Sequence, residues 1–282
     1  MNDKNVTHQL IIEPKSGWQL INWKELIDYK DLLYFLIKRD VLTLYKQTVL
    51  GFTWAIIRPV FSMIVFSIVF GQLARIESDG IPYPIFSYAA LIPWTYFSAA
   101  LTSSVTSVIG GRAIFTKVYF PRLIIPLVPV LSKLVDFAIS FIILIGLMIW
   151  YGIAPTLNIF WLPLLILLMI LTSMGIGMWL SAMAIQYRDI QQGTPFLTQL
   201  LMYAAPVVWP VSLISEKFGE STKLIYGLYP MVGVIEGFRS TLLGTNPMPW
   251  DLIGMGTLTS VFLFLTGSIY FKRKERIFAD VA

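Results

Sequence analysis

Six long apolar stretches, separated by short polar connections, set the rhythm of this chain. They cover residues 59–76, 85–107, 123–151, 159–185, 194–214 and 252–271. About 18–25 apolar residues in a helix cross a ~30 Å hydrocarbon core, and a helix closes its backbone hydrogen bonds internally, as lipid demands. The pattern predicts an all-α membrane protein with six transmembrane helices. Three regions read differently. Residues 26–50 set Leu26, Leu33, Ile37, Val41 and Leu44 at helical spacing against Asp31, Lys38, Asp40 and Lys46. That is an N-terminal amphipathic helix, lying on the membrane face or packed on another subunit. Residues 215–251 are mixed, and their apolar run 224–238 is too short to cross, which predicts a re-entrant hairpin between spans 5 and 6. The third stretch carries Pro121, Pro126, Pro129, Lys133 and Asp136. Residues 112–132 read as a kinked approach, with the crossing starting near Leu134.

Composition strengthens the membrane reading. Apolar residues make up 56% of the chain, charged residues 13%, and mean hydropathy is +0.73; a soluble domain carries roughly a quarter charged residues. Charge placement then orients the spans. With the N-terminus inside, residues 1–58, 108–122, 186–193 and 272–282 hold 16 of the 21 Lys and Arg residues. Arg75, Lys217, Lys223 and Arg239 fall outside, and Lys133 lies within the third span. The positive-inside rule therefore places both termini in the cytoplasm and residues 215–251 in the periplasm. The net charge of +5 follows from this topology and calls for no nucleic acid. Residues 1–30 lack the apolar core of a signal peptide. The expected organisation is a cytoplasmic N-terminal segment (1–58), a six-span domain (59–271) and a cytoplasmic tail (272–282).

Little in the chain suggests catalysis. It has no cysteine and a single histidine, His8, so no metal site or catalytic group is expected. It also lacks the GxxxxGK[ST] phosphate loop, so ATP would have to be hydrolysed elsewhere. Lys133 and Asp136 stand one helical turn apart and can face each other, either as a translocating pair or as a structural ion pair. Gly175 and Gly177 suit close helix packing. Aromatics make up 15% of the chain. Trp54, Trp150, Tyr151, Trp161, Trp250 and Tyr270 fit interfacial belts. Phe66, Phe70, Tyr88, Trp94, Tyr96, Phe97, Tyr203 and Trp209 fall deeper, where they either stack on a passing sugar or pack in the bilayer.

The most specific local pattern is Gln186-Tyr187-Arg188-Asp189-Ile190, then Gln199 and Ala205-Pro206-Val207-Val208. With it the chain resembles ABC-2-type permeases, especially exporters of O-antigen, capsule and teichoic acid. Ala205 stands where that family commonly has Ser. Further matches are Arg39-Asp40, Tyr45-Lys46, Leu50-Gly51, Trp54, Arg58-Pro59, the loop Phe115 to Pro121, and Tyr229-Pro230 through Gly237-Phe238-Arg239. The likeness runs from about residue 30 to residue 275. It implies a homodimer in the bacterial inner membrane, joined to two copies of an ABC ATPase subunit that binds ATP and Mg, with no cofactor in this chain. The implied substrate is an undecaprenyl-pyrophosphate-linked glycan; a drug or lipid is the alternative. In such permeases the first and fifth spans line the conduit, which points to Phe66, Phe70, Tyr203 and Trp209. Contact with the ATPase falls to Arg39, Asp40, Arg112, Lys117, Arg188 and Asp189; Arg188 and Asp189 are either a fixed ion pair stiffening a loop of about eight residues, or an arginine that obeys the positive-inside rule with Asp189 capping it.

Overall fold

The computed structural model describes residues 23–46, 51, 53–111, 120–244 and 246–275, all helical or connecting, with no strand among them. Two N-terminal helices, α1 (Trp23–Asp28) and α2 (Lys30–Lys46), precede α3 (Thr53–Phe66), which continues as a π-helical turn over Ser67–Leu73. Then come α4 (Tyr83–Gly110), α5 (Ile124–Tyr151), a 3-10 turn (Leu157–Trp161) and α6 (Leu162–Ala184). The remainder is α7 (Arg188–Ala204), the short α8 (Ser212–Phe218) and α9 (Glu220–Tyr226), α10 (Pro230–Leu243) and α11 (Trp250–Lys274).

Four stretches are long and apolar enough to cross a membrane: Thr53–Leu73, Ile124–Tyr151, Leu157–Ala184 and Trp250–Lys274. They correspond to the first, third, fourth and sixth predicted spans. The second is α4, whose 28 residues extend ~42 Å. It sits at the centre of the bundle, packed on α3, α5, α6, α7 and α10. Tyr88, Trp94, Tyr96 and Phe97 are buried there. The hydroxyls of Tyr88 and Tyr96 donate to the carbonyls of Ser140 and Val130 on α5, at 3.3 and 2.9 Å. All four are thus packed inside the chain, and the two tyrosine hydroxyls tie α4 to α5.

Two boundaries differ from expectation for the same reason. The third apolar stretch, 123–151, is a single helix from Ile124 that takes in residues 124–132, expected as an approach to the crossing. Pro126 falls in the first helical turn, where a missing N–H costs nothing. The fifth is not one helix, because α7 stops at Ala204 and the chain runs irregularly to Val211. Pro206 drives Ala205 out of the helical region, to φ −86° and ψ 152°. Apolar content hides both effects, since proline geometry leaves hydropathy unchanged.

The closest seam joins α6 to α11 through glycine. A Cβ on Gly175 would stand 2.7 Å from the backbone of Leu263 and Phe264, and one on Gly267 would stand 2.4 Å from the Gly175 carbonyl oxygen. Small residues let such backbones meet, which in lipid is where dispersion is gained. Beside this seam Thr172 and Ser260 share a hydrogen bond of 2.8 Å, and Trp179 stacks on Tyr270 at 4.6 Å.

The connections sort to two ends of the bundle. At one, Arg122 pairs with Glu275 at 3.8 Å, and Lys274 reaches the side-chain oxygen of Gln186 at 3.2 Å. At the other, Asp79 accepts from Ser212 (3.1 Å) and from Asn246 (3.0 Å), while Lys223 pairs with Asp251 at 3.1 Å and Glu220 at 3.3 Å. Burial alone would lower the pKa of Lys223, but Asp251 and Glu220 outweigh it and hold it above its ordinary value.

Candidate functional site

The interruption between α7 and α8 is the least regular part of the bundle, and it is buried: Ala205, Val207 and Val208 are at most 1% exposed. A buried break leaves carbonyls that helix geometry no longer serves, and each unmet group is costly away from water. Side chains from the neighbouring hairpin and from α4 meet them. Arg239, on α10 and wholly buried, donates from Nη2 to the Val207 carbonyl at 3.0 Å and from Nη1 to that of Trp209 at 3.3 Å. Its Nε reaches the Phe86 carbonyl at 3.4 Å, and the guanidinium lies 3.6 Å above the Phe86 ring. Tyr83 donates to Val208 at 2.8 Å, Tyr226 to Ala204 at 2.7 Å, and Tyr229 to Leu201 at 3.5 Å.

Charge is balanced within the same helix. Glu236, one turn before Arg239, accepts from Arg239 Nη1 at 2.7 Å and from the Val211 N–H at 3.4 Å. A buried ion pair is stable only with its remaining hydrogen bonds satisfied, and here the surplus donors of the planar guanidinium do that. All 14 residues of α10 are buried. The pair is a clamp on the break.

The first predicted span carries its own irregularity. In the π-helical turn, Ala74 N–H reaches the Val69 carbonyl at 2.9 Å, five residues back; such turns frequently occur at functional positions. Phe66 and Phe70 stack edge to face with centroids 5.4 Å apart. Both are half-buried and packed against the main core. Beyond the turn, Arg75 and Asp79 take positive φ of 52° and 50°, a region uncommon for residues other than glycine.

Of the four predicted pathway residues, Phe66 and Phe70 thus come together on α3. Tyr203 stands on α7 and is 48% exposed, while Trp209 lies in the break, half-buried against the core. α3 and α7 both pack on α4.

The predicted coupling residues lie toward the other end. Asp40 on α2 accepts a short hydrogen bond from Ser132 on α5, and Tyr45 donates one to Asp136. Asp136 also pairs with Lys133 at 3.3 Å, as the one-turn spacing predicts. Burial and the bond to Asp136 push the Tyr45 phenol well above its ordinary pKa of 10.0, which keeps it a donor. Asp136, paired with Lys133 on its own helix, therefore ties α5 to α2 through Tyr45. Arg39 is exposed beside Asp40 and lines, with Lys133, Ser103, Ser107 and Gly110, a cleft of about 610 Å³. Arg112 and Lys117 lie outside the described residues.

Arg188 and Asp189 correct the expected ion pair. They open α7 as exposed neighbours, and no salt bridge joins them. Adjacent residues on a helix point to different faces and cannot meet; Asp189 instead complements the helix N-terminus. The predicted eight-residue loop shrinks accordingly, because residues from Arg188 onward are helical.

Charge counting alone puts Arg239 among the outside cations, whereas the fold buries it completely. The available signal was an acidic and a basic residue at i and i+3 within an apolar run, a spacing that favours pairing where charge is expensive. Among the described residues no three His, Asp or Glu side chains gather as metal ligands would.

Four helices long and apolar enough to cross a membrane, packed with clamped irregular segments, are the architecture of a membrane-embedded protein. The ABC-2 type transporter model matches residues 31–243, so the chain belongs to that family of transporter membrane subunits, which are not themselves enzymes and act with an ATPase partner. It is 28% identical over 254 residues to the "O-antigen export system permease protein RfbA" of Myxococcus xanthus, covering 89% of this chain and 96% of that one. Identity to the protein of that name in Klebsiella pneumoniae is 26% over 252 residues, 89% and 95% of the two chains. With the "Polysialic acid transport protein KpsM" of Escherichia coli it is 23% over 249 residues, 85% and 92%.

Proposed function

We propose that this chain is the permease subunit of an ATP-driven exporter that moves a lipid-linked, O-antigen-like polysaccharide out across the bacterial inner membrane. The observation that carries this reading is the near full-length similarity to permeases named for O-antigen export, 89% of this chain against 96% of one relative. In this reading α3, α4, α5, α6, α7 with its break, and α11 are the six spans. α9 and α10 form a periplasmic re-entrant hairpin: α10, at 14 residues, is only ~21 Å long and falls short of a ~30 Å core. α1 and α2 lie along the cytoplasmic face, and both termini are cytoplasmic, the arrangement favoured by the charge distribution.

Two copies pair, and each engages, through Arg39, Asp40, Arg112, Lys117, Arg188 and Asp189, a separate ATPase subunit that itself binds ATP and Mg. The exposed face of α2 supports this role, since it sets Lys38, Arg39 and Lys46 among Phe35 and Leu42 around a shallow groove. Phe66, Phe70, Tyr203 and Trp209 line the path of an undecaprenyl-pyrophosphate-linked glycan. Aromatic faces suit a sliding polymer because they attract sugar C–H faces without the desolvation that charged groups demand. Deleting the gene should leave polymer attached to lipid inside the cell and none at the surface, with restoration by the unaltered chain. Normal surface polysaccharide in the deletion strain, with a lipid or drug retained instead, would favour the other export class.

A further inference from the structure

The two irregular segments are joined by one side chain. Tyr83, at the start of α4, lays its ring against Gly71 in the π-helical turn: a Cβ there would stand 2.8 Å from the ring carbon Cγ. The hydroxyl of the same ring holds the Val208 carbonyl in the break at 2.8 Å. On the far side of the break Arg239 holds Val207 and Trp209. The contacts therefore run without a gap from Phe70 and Gly71, through Tyr83, to Val208 and Trp209, and on to Arg239. Asp79 extends them by bridging Ser212, just past the break, to Asn246.

We propose that Tyr83 and Arg239 are positioning residues for export, locking the π-helical turn of α3 and the break in α7 into one unit. This rests on the reading of the chain as a polysaccharide exporter. The unit does two things for such a substrate. It keeps Phe70 and Trp209 at a constant spacing while the surrounding helices move. It also keeps the break in one shape inside the bundle, because the carbonyls of Val207, Val208 and Trp209 already have their donors and would be costly to leave unmet there. The packed-in ring and the planar fork are both required. A lysine at 239 would keep the charge opposite Glu236 but could not span two carbonyls from one rigid group.

The test compares Tyr83→Phe and Arg239→Lys in the complete permease–ATPase complex, with export measured per folded complex. Tyr83→Phe removes one oxygen and leaves the ring on Gly71, so membrane level and partner binding should stay normal. The export rate should fall about fivefold, the order set by one lost hydrogen bond to a buried group. The ATP concentration giving half-maximal export should not change. Arg239→Lys should fail to restore export even though charge is conserved, an outcome that a role limited to balancing Glu236 does not give. Export at the unaltered rate by either variant overturns the proposal. If Arg239→Lys does not accumulate, Tyr83→Phe decides alone. An unaltered complex that moves no polysaccharide sinks the functional reading and this inference together, whereas normal export by the variants sinks the inference only.

Discussion

Adding one methyl group to the α6–α11 seam should separate two helices that nothing else can relax. At Gly175 a new Cβ would lie 2.7 Å from the backbone of Leu263 and Phe264, and at Gly267 a new one would lie 2.4 Å from the Gly175 carbonyl oxygen. Ordinary contact begins near 3.4 Å, so the shortfalls are 0.7 and 1.0 Å. The nearest obstructing atoms are main-chain, with no rotamer to escape into, so the helices themselves must part; at Gly267 the Trp179 ring, 2.9 Å away, adds to the clash. A gap of that size forfeits a quarter to a half of each dispersion contact along the seam, and overpacking a well-filled core costs about 1–3 kcal/mol. Gly175→Ala and Gly267→Ala should each lose about 2–3 kcal/mol on that scale, Gly267→Ala the more. Gly146 and Gly254 are the controls, because a Cβ at either meets nothing within 4 Å. Alanine there should be neutral or gain up to about 1 kcal/mol from helix propensity. Reversible unfolding of the purified chain in mixed micelles reads all four variants on one scale. Equal stability of Gly267→Ala and Gly146→Ala would refute this packing.

Three further outcomes follow from the same geometry. Arg239→Met should destabilise the fold by about 3–5 kcal/mol because it strands a buried carboxylate, and adding Glu236→Gln should recover part of that loss; additive losses in this double-mutant cycle would mean the pair is not coupled. A cysteine at exposed Ser221, easily introduced because the chain has none of its own, should react with a membrane-impermeant thiol reagent from outside the cytoplasmic membrane, and labelling only from the inside would reverse the topology. Phe70→Ala and Tyr203→Ala should slow export without lowering expression, whereas Trp150→Ala, at a position 84% exposed on the rim of α5, should mainly affect stability; the opposite pattern would remove Phe70 and Tyr203 from the pathway.

Much of the helical architecture was legible because hydropathy is a local property that survives any packing. Gly175 announced a close helix contact, and the spacing of Lys133 and Asp136 announced their pairing. Both signals lie within one turn or one side chain. What stayed hidden depends on backbone direction or on partners distant in sequence. The span 194–214 looked continuous because Ala205, Val207 and Val208 are apolar, yet Pro206 turns the chain there. Tyr88 and Tyr96 stay open between sugar stacking and packing, because nothing in the sequence shows that the acceptors Ser140 and Val130 lie opposite them. Arg239 looked like a surface cation for the same reason: its carbonyl partners lie 30 or more residues away, on other segments. Arg188 and Asp189 misled differently, since adjacency in sequence was read as adjacency in space.

The central claim is that this chain supplies the membrane path for a polysaccharide while its partner supplies the energy. Its most direct test is reconstitution into proteoliposomes loaded with lipid-linked polysaccharide on the ATP-accessible leaflet, with the chain alone, the partner ATPase alone, or both. Enzymatic digestion then reports how much polymer has crossed to the protected side. Polymer should cross in an ATP-dependent way only when both proteins are present, and the chain alone should hydrolyse no ATP. ATP-driven crossing with this chain in the absence of the ATPase, or a complete complex that hydrolyses ATP and moves no polymer, would contradict it.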